Sequence, residues 1–500
     1  MELYQNKQTE VRKVEYEKNY WTACNDCKGR GKKRQKLSIK ARKRYQNELD
    51  DFKKSTTRTK TPTRPEAPSK LCTTCEGTGI IPSKNHPIPE SETMPHVAII
   101  GGGIGGAALA VACLHRGIPY TLYERDDNFD TRSQGYGLTL QQASKAIAAL
   151  GILSLKDGVI SNRHLVHTVE GTIIGEWGMR KWIKFDSKKI SKKTNIHIAR
   201  QSLRLALLEQ LDSKNPIQWG HKLIDLTERK DNSVDLKFLE NGKTKIARAD
   251  LVVGADGIRS SVRRLVLGEN TSPLRHLDCI VILGICSLES LKNTDNSLLD
   301  SKTVFQTANG NERIYVMPFT SDTVMWQLSF PMSETHAKSL SKEGAKALKE
   351  EAIKRTQWHS PIPQIISTTK ESQISGYPVY DRELLDPELL KKCGSITLIG
   401  DAAHPMSPFK GQGANQALLD ALSLAREISK GCNALSQWRK TGVRESVLND
   451  FEADMIKRSA SKVKDSAAAA KFLHSKIALH KGNEPRGRVL KRKNNPNNTE

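Results

Sequence analysis

Short apolar runs alternate with stretches of helical periodicity along most of the chain. The runs His96–Ile100, Tyr120–Tyr123, Leu251–Gly254 and Ile396–Ile399 are each flanked by turn residues or by helical spacing. Such uninterrupted apolar runs are typical of strands that are buried on both faces, and their alternation with helices is typical of a parallel sheet. The pattern therefore predicts an α/β fold over residues 96–430.

A different pattern, in which apolar and polar residues alternate, occupies the segment from about Cys279 to Phe330. Its strand-like runs are separated by hairpin residues such as Ala308–Asn311. This pattern predicts an antiparallel sheet. We expect the sheet, together with Thr172–Ile183, to form a second, interleaved domain that supplies a ligand pocket. The candidate pocket residues are Met317, Phe319, Met325, Trp326 and Phe330. Alternation places only some of these on one face, and core packing is the expected role of most.

The two ends of the chain differ from this body. Four prolines between residues 82 and 95 indicate an extended linker, and apolar positions from Val447 to Ile456 at helical spacing predict C-terminal helices. The polar segment from Gly482 predicts a disordered tail. The predicted division is 1–81, cysteine-containing module with a basic insert; 82–95, linker; 96–165, 196–275 and 371–430, α/β domain; 166–195 and 276–370, inserted sheet domain; 431–481, C-terminal helices; 482–500, tail.

Composition narrows the classes of protein further. The 500 residues are 37% hydrophobic and 27% charged, which excludes a polytopic membrane protein and a wholly disordered chain. Nine cysteines are too few for a secreted disulfide scaffold, and no signal peptide is evident, so we expect a cytoplasmic protein. The net charge is +24, but residues 1–95 and 457–500 each hold an excess of nine positive charges, so the body is nearly balanced.

A glycine-rich turn follows the first apolar run. Gly101, Gly103 and Gly106 satisfy the pattern G-x-G-x-x-G and open an alanine-rich segment. In such a turn the first glycine allows the bend, the second lets the backbone approach a pyrophosphate, and the third lets the helix pack on the strand. Because five of the 18 residues in the uncharged stretch Val97–Leu114 are glycine, we predict a phosphate-binding turn and no transmembrane segment.

Acidic residues also follow the other predicted strands. Glu124 ends the second strand at the offset where a carboxylate binds the ribose of a dinucleotide. Its neighbour Arg125 is either a phosphate ligand or a surface charge. Asp256-Gly257 and Asp401 follow two further strands. Such residues are common in turns, but ligands of a doubly wound sheet lie beyond the carboxyl ends of its strands. These residues could therefore line one extended dinucleotide.

Three segments together carry a family resemblance: GGGIGG at 101–106, VVGADGIRSSVR at 252–263 and LIGDAAHPMSPFKGQGANQALLDA at 398–421. Over about residues 96–475 the chain resembles the single-component FAD-dependent monooxygenases of the para-hydroxybenzoate hydroxylase type, which include the tetracycline-inactivating monooxygenases. The resemblance implies a Rossmann-like FAD-binding domain, an interleaved antiparallel substrate domain and C-terminal helices.

The resemblance also implies which residues hold FAD. The three glycines of the first segment would hold the pyrophosphate, Glu124 the adenosine ribose and Asp401 a ribityl hydroxyl. Arg200 would reach the pyrophosphate or ribityl region, and Pro408 would lie near the reactive edge of the flavin. The backbone of the third segment would face the pyrimidine end. The implied cofactor-binding set is Gly101, Gly103, Gly106, Glu124, Arg125, Arg200, Asp256, Gly257, Asp401, Pro408, Gly411, Gly413, Ala414 and Asn415.

The same resemblance implies the reaction. NAD(P)H reduces FAD, O2 then forms a flavin C4a-hydroperoxide, and one oxygen atom passes to a small aromatic or polycyclic substrate. Because the cofactor performs the chemistry, we nominate no catalytic side chain, and we expect His164 and His404 to be structural. Two alternatives stay open: a flavoprotein reductase or dehydrogenase, and a flavin-binding module recruited to a protein or nucleic-acid partner.

The N-terminal module contains the pattern C-x-x-C-x-G-x-G twice. Cys24 and Cys27 belong to the first copy, and Cys72 and Cys75 belong to the second. Four thiolates form the tetrahedral set that Zn²⁺ prefers and leave no open position, so we predict a structural zinc site rather than a redox pair or free thiols. The repeat resembles half of the cysteine-rich domain of DnaJ-type co-chaperones, which implies a small zinc ribbon. The other cysteines are predicted core residues.

A basic segment separates the two cysteine patterns. Residues 28–54 hold 12 Lys/Arg and three Asp/Glu, with Ala41, Tyr45, Leu49 and Phe52 at helical spacing. This predicts a basic helix that is docked by one face. Aromatic stacking residues are sparse, so nucleic acid is not the partner that we expect. The expected partners are a small-molecule substrate and O2, and a protein partner of the N-terminal module stays open.

Overall fold

The computed structural model describes residues 20–54, 62, 65, 67–131, 136–141, 143–178, 195–211, 217–292, 294, 296–485 and 487. The strands are β1 (Tyr20–Ala23), β2 (Lys32–Arg34), β3 (Ser69–Leu71), β4 (Ile80–Ser83), β5 (Val97–Ile100), β6 (Tyr120–Tyr123), β7 (Gly137–Leu140), β8 (Val159–Ile160), β9 (Arg163–His167), β10 (Ile173–Trp177), β11 (Ile196–Ala199), β12 (Lys222–Glu228), β13 (Val234–Glu240), β14 (Lys243–Ala249), β15 (Leu251–Gly254), β16 (Arg275–Ser287), β17 (Thr303–Ala308), β18 (Arg313–Pro318), β19 (Thr323–Pro331), β20 (Ile374–Asp381) and β21 (Ile396–Leu398). The helices are α1 (Ile39–Lys54), α2 (Ile104–Leu114), α3 (Ser144–Ala149), α4 (Arg200–Leu208), α5 (Ser261–Leu267), α6 (Glu334–Glu343), α7 (Ala345–Arg355), α8 (Ile362–Thr368), α9 (Pro387–Lys391), α10 (Gly413–Gly431), α11 (Trp438–Val443) and α12 (Asn449–Phe472).

A four-stranded parallel sheet forms the centre of the α/β body. Its order is β21-β15-β5-β6, and its strands are the four apolar runs of the sequence. Helix α2 packs against α10 and α4 beside this sheet. The predicted mixed α/β fold is confirmed. Because the strands are parallel, the segments that follow β5, β15 and β21 meet at the same edge of the sheet.

The second large sheet has seven strands in the order β10-β9-β17-β18-β19-β16-β20. Its strand pairs are antiparallel with one exception, because β17 runs parallel to β9. The sheet includes β9, which starts at Arg163, and β20, which ends at Asp381. It therefore extends beyond the segments 166–195 and 276–370 that we predicted for it. The predicted segment Thr172–Ile183 includes the whole of β10, and its part from 179 onward lies outside the described residues.

The two faces of the seven-stranded sheet have different neighbours. One face forms an apolar core with α6, α7 and α8, and this core includes Trp326 and Phe330. The opposite face carries Met317 and Met325, which line a cavity. Phe319 belongs to the same small cluster but does not line that cavity. Of the candidate residues, Trp326 and Phe330 therefore belong to the core, the role that we expected for most of them, because alternation along β19 turns them away from the cavity.

The segments outside the two sheets pack on the body. In α1 the predicted face is half-buried, as are Glu48 and Asp50, and the rest is exposed, so the helix contains no fully buried residue. The linker is held at Thr93, whose carbonyl oxygen accepts a 2.7 Å hydrogen bond from Trp438 Nε1. Gly482 and Asn483 form hydrogen bonds with β10 at the start of the segment that we predicted as a disordered tail, so its first residues are ordered. None of the helices in the described ranges combines the length and apolar composition of a membrane span.

Candidate functional site

A cavity of about 1470 Å³ lies between the carboxyl ends of the parallel strands and the free face of the seven-stranded sheet. The predicted cofactor residues that line it are Gly103, Arg125, Arg200, Asp256, Gly257, Asp401, Pro408, Gly411, Gly413 and Ala414. The predicted residues that do not line it are Gly101, Gly106, Glu124 and Asn415. The cavity thus brings together residues of all three sequence segments.

The three glycines of the first turn have different surroundings. Gly101 has φ +107°, and a Cβ added there would lie 2.7 Å from the Ala255 carbonyl oxygen. A Cβ on Gly106 would lie 1.9 Å from the Gly101 carbonyl oxygen, so these two glycines allow close backbone packing. A Cβ on Gly103 would meet no atom within 4 Å. Gly103 therefore leaves space for a ligand in front of α2, whose N-terminus has no side-chain cap.

Glu124 is bound to the glycine turn itself. Its carboxylate accepts hydrogen bonds from the Gly102 N–H at 2.7 Å and from the Asp126 N–H at 3.1 Å. The Gly102 carbonyl oxygen accepts a 2.8 Å hydrogen bond from Arg204 Nε, and this guanidinium stacks on Phe129. Glu124 and Arg204 therefore hold the turn through the N–H and the carbonyl group of Gly102. Arg204 was missed in the sequence, although it lies one helical turn after Arg200 on α4.

Asp256 lies after β15, in the sequence segment 252–263, and holds the N-terminus of helix α5. Its carboxylate accepts hydrogen bonds from the Ser260 hydroxyl and from the N–H groups of Ser261 and Val262. Burial raises the pKa of this carboxyl, although these hydrogen bonds oppose the shift. The next residue, Gly257, has φ +81° and open space where a Cβ would lie. Asp256 thus caps a helix while it also lines the cavity.

Asp401 lies in the turn after β21. Its side chain is accessible from the cavity, and desolvation by the surrounding protein raises its pKa against the opposing charges of His404 and Arg200. The turn is held by Asp420, which accepts hydrogen bonds from the Gly400 N–H at 2.9 Å and from His404 at 2.7 Å. His404 does not line the cavity. Burial disfavours its charged form, but the Asp420 carboxylate outweighs this effect and raises the pKa of His404.

A second helix N-terminus faces the same cavity. Pro408 begins a short 3-10 turn, Gly411 has φ +57°, and α10 begins at Gly413 without a side-chain cap. Asn415 holds this turn in place. Its Oδ1 accepts hydrogen bonds from the N–H groups of Gln141 and Ala143, and its Nδ2 donates to the carbonyl oxygens of Thr139 and Gly411. All of its polar atoms are therefore bound to protein, and it supports the site without lining it.

The wall formed by the seven-stranded sheet is partly polar. Gln306, Arg313, Tyr315 and Gln327 line the cavity beside Met317 and Met325. Arg313 is buried and donates a 2.8 Å hydrogen bond from Nε to Gln306 Oε1, and burial lowers its pKa to about 10. It forms no ion pair with a carboxylate in the described part of the chain. These polar residues were missed, because an alternating strand pattern does not reveal which polar position faces a pocket.

His164 also lines the cavity. Its ring stacks on Trp177 with the centroids 5.4 Å apart, and burial lowers its pKa to about 4. The nearby His197 is buried too, with a pKa lowered to about 3, and its Nε2 is 2.6 Å from the Ser161 hydroxyl oxygen. Both rings are therefore neutral near pH 7 and contribute shape and hydrogen bonding to the wall.

The four cysteines of the N-terminal module form a separate cluster. Their sulfur atoms all lie within 4.8 Å of one another, with Cys24–Cys72 at 3.9 Å and Cys27–Cys75 at 3.7 Å. Tetrahedral Zn–S bonds of about 2.3 Å place sulfur atoms about 3.8 Å apart. All four side chains are buried. The cluster therefore has the spacing and chemistry of a metal site with four sulfur ligands.

The sequence of the body matches that of known proteins. Residues 94–438 match the family described as FAD binding domain, and this range includes both helix N-termini and most of the residues that line the cavity. The chain belongs to this family. The FAD-dependent monooxygenase thnD of Trichoderma harzianum is 26% identical over 399 residues, which are 74% of this chain and 91% of that protein. The chloroplastic zeaxanthin epoxidase of Oryza sativa subsp. japonica is 27% identical over 67% of this chain, but the match spans only 49% of the epoxidase.

The fold is also found in a solved structure. The structure of Klebsiella pneumoniae HpxO with FAD and uric acid superposes with a TM-score of 0.62 at 21% identity, over 77% of this chain and 90% of HpxO. The site described above fits FAD. Two uncapped helix N-termini, at Gly103 and Gly413, face one cavity that is large enough for an extended dinucleotide. The cysteine module lies N-terminal to the matched range.

Proposed function

We propose that the protein is an FAD-dependent monooxygenase that uses NAD(P)H and O2 to hydroxylate a small aromatic or polycyclic compound. The main observation behind this proposal is that both uncapped helix N-termini and the partly polar sheet wall face one and the same cavity. One part of this space suits a dinucleotide, and the remainder suits a second, planar molecule. The FAD-dependent monooxygenases among its relatives support the same assignment.

The residues of this chain would bind and orient the reactants. The backbone at Gly103 would receive the FAD pyrophosphate at the N-terminus of α2, with Arg200 nearby. The N-terminus of α10 at Gly413 would place its positive dipole end at the pyrimidine ring and stabilise negative charge there. Bound FAD, once reduced, supplies the activation of O2. Exclusion of water by the enclosing wall would favour oxygen transfer over loss of peroxide.

The sheet wall suggests what kind of substrate binds. Met317 and Met325 offer apolar contact to a ring, whereas Arg313, Tyr315 and Gln327 offer hydrogen bonds to its polar substituents. Because Arg313 is buried without a carboxylate partner in the described ranges, a substrate with an acidic or carbonyl oxygen would satisfy it. We therefore propose an oxygen-bearing ring compound.

The proposed reaction is tested by following both NAD(P)H and oxygen. Purified protein reconstituted with FAD is mixed with aromatic acids, purines and polycyclic phenols under ¹⁸O2. We expect a true substrate to accelerate NAD(P)H oxidation and to gain one ¹⁸O atom, with little H2O2 released. Flavin reduction by NAD(P)H that yields only H2O2 with every compound would favour the reductase alternative. Failure to bind FAD at all would refute both.

We also propose that the cysteine cluster holds one structural Zn²⁺ ion. The protein is expected to contain zinc by elemental analysis, and Cys24, Cys27, Cys72 and Cys75 should resist alkylation until a chelator removes it. The core cysteine Cys113 provides an internal control, because it should stay unreactive in the folded protein before and after chelation. Protein that is free of metal and whose four clustered thiols react at once would contradict the proposal.

A further inference from the structure

The cysteine module is bound to the body through two buried arginines. Arg116 follows α2, and its Nε donates a 3.1 Å hydrogen bond to the Gly29 carbonyl oxygen of the first cysteine pattern. Arg426 lies in the C-terminal half of α10, and its Nη2 donates to the carbonyl oxygens of Gly77 at 2.8 Å and Thr78 at 3.0 Å. The two helices that begin at the cofactor cavity thus contact the module near their other ends.

Among the described residues, neither arginine has an acidic partner. Arg116 is only 3% exposed, and Nε of Arg426 is buried without a hydrogen-bond partner. Within the described ranges, neither guanidinium forms an ion pair with a carboxylate. Burial of two neighbouring positive charges costs several kcal/mol per ion unless a counter-charge is present. The fold must therefore supply negative charge by another group.

The cysteine sulfurs are that group. The carbonyl oxygens that Arg116 and Arg426 bind belong to Gly29, Gly77 and Thr78, which lie two or three residues after Cys27 and Cys75. Four thiols carry no charge, and four thiolates without metal would repel one another. A divalent cation with four thiolates carries a net charge of about −2, which balances the two positive charges of the guanidinium groups. The metal-loaded cluster therefore neutralises the two arginines, whereas the thiol form does not.

The glycine turns connect the sulfurs to the arginines. The N–H groups of Gly31 and Gly79 donate to the sulfurs of Cys27 and Cys75 at 3.1 and 3.2 Å. A Cβ on Gly79 would lie 2.4 Å from the Gly29 carbonyl oxygen, which is the acceptor of Arg116. The same short turns thus bind the sulfurs through their N–H groups and bind the arginines through their carbonyl oxygens. A change at the sulfurs would displace the carbonyl groups that the arginines bind.

We propose that the metal-loaded cysteine module is the counter-charge of Arg116 and Arg426 and thereby holds α2 and α10 in the arrangement that binds FAD. This inference rests on the proposed function for its ligand, FAD. Metal binding and FAD binding are then thermodynamically linked, although the two sites share no residue. Because linkage is reciprocal, bound FAD should raise the affinity for zinc by the same factor by which zinc raises the affinity for FAD.

The test measures both ligands on the full-length protein. Zinc release is followed with a chromogenic chelator, and the Kd of FAD is followed by quenching of flavin fluorescence. Removal of zinc from the wild type is expected to raise the Kd of FAD about 10-fold, within the usual range of coupling between sites. The double variant Arg116→Met/Arg426→Met should release zinc about 10-fold faster, and chelation should then change its FAD affinity little.

Arg439→Met is the matched control. This arginine also donates to backbone carbonyl oxygens, those of Ser91 and Glu92 in the linker, and stacks on Trp438, but it is exposed. Its replacement should change neither zinc release nor FAD affinity by more than about twofold. An FAD Kd that is unchanged on zinc removal, or zinc release that is unchanged in the double variant, would overturn the inference. Wild-type protein that binds zinc but no FAD would instead refute the proposed function.

Discussion

The substitution Gly103→Val is expected to abolish FAD binding while the fold stays intact. Gly103 has φ −73° and ψ −173°, which valine adopts readily, and an added Cβ would meet no protein atom within 4 Å. The side chain would instead occupy the space in front of the α2 N-terminus. Loss of two charge-assisted hydrogen bonds to the pyrophosphate, about 1.5–3 kcal/mol each, would raise the Kd of FAD at least about 100-fold. Flavin fluorescence titration measures this change.

Gly106→Ala provides the contrasting variant three residues away. Its Cβ would lie 1.9 Å from the Gly101 carbonyl oxygen, so the backbone of the turn must move. We expect the unfolding free energy of the protein without flavin, measured in urea, to fall by about 3 kcal/mol or more. In the same assay Gly103→Val should change it by less than about 1 kcal/mol. Tight FAD binding by Gly103→Val would contradict the placement of the pyrophosphate.

The parts of the fold that depend on local pattern could be predicted from the sequence. The apolar runs became the four parallel strands, because each run is short, uninterrupted and followed by a turn. The glycine turn could be placed because its requirements are steric and local. The direction of the β9–β17 pair could not be predicted, since it depends on which distant strand lies beside β17. For the same reason the sheet includes Arg163–His167 and Ile374–Asp381, which lie outside the predicted segments.

The supporting residues of the site were harder to predict than the lining residues. Ten of the predicted cofactor residues line the cavity. The glycines and acids at strand ends, such as Gly103, Asp256 and Asp401, follow a general rule of parallel sheets. Arg200, Pro408 and the residues from Gly411 to Ala414 were implied only by the family resemblance. Arg204 and Asp420 act through single contacts with the backbone of Gly102 and Gly400, and no spacing rule reveals such contacts. Arg313 faces the cavity only because β18 takes one of two registers.

Asp420→Asn is expected to destabilise the protein by about 3–5 kcal/mol, because the change leaves the buried His404 without its counter-ion and leaves the partly exposed Arg458 with Asp454 alone. The Asp420 carboxylate is fully buried and contacts His404 at 2.7 Å and Arg458 at 2.8 Å. It also accepts the Gly400 N–H, so FAD binding at the adjacent Asp401 should weaken as well. Asp454→Asn is the matched control, because Asp454 pairs with the same arginine at 3.3 Å but is exposed. Its effect should stay below about 1 kcal/mol.

The pH dependence of the unfolding free energy distinguishes loss of the Asp420–His404 ion pair from a general loss of packing. Burial alone would raise the pKa of Asp420, but the charges of His404 and Arg458 outweigh burial and lower it. The contribution of Asp420 to stability is therefore present above about pH 4 and is lost as pH falls through the lowered pKa. The pKa of His404 is raised, so its contribution is complete below about pH 6.5 and is lost as pH rises through the raised pKa. The difference in unfolding free energy between wild type and Asp420→Asn should therefore be larger near about pH 6 than near about pH 9. A difference that does not change over this range would show that the ion pair with protonated His404 does not contribute, and that Asp420 acts through Arg458 and its hydrogen bonds.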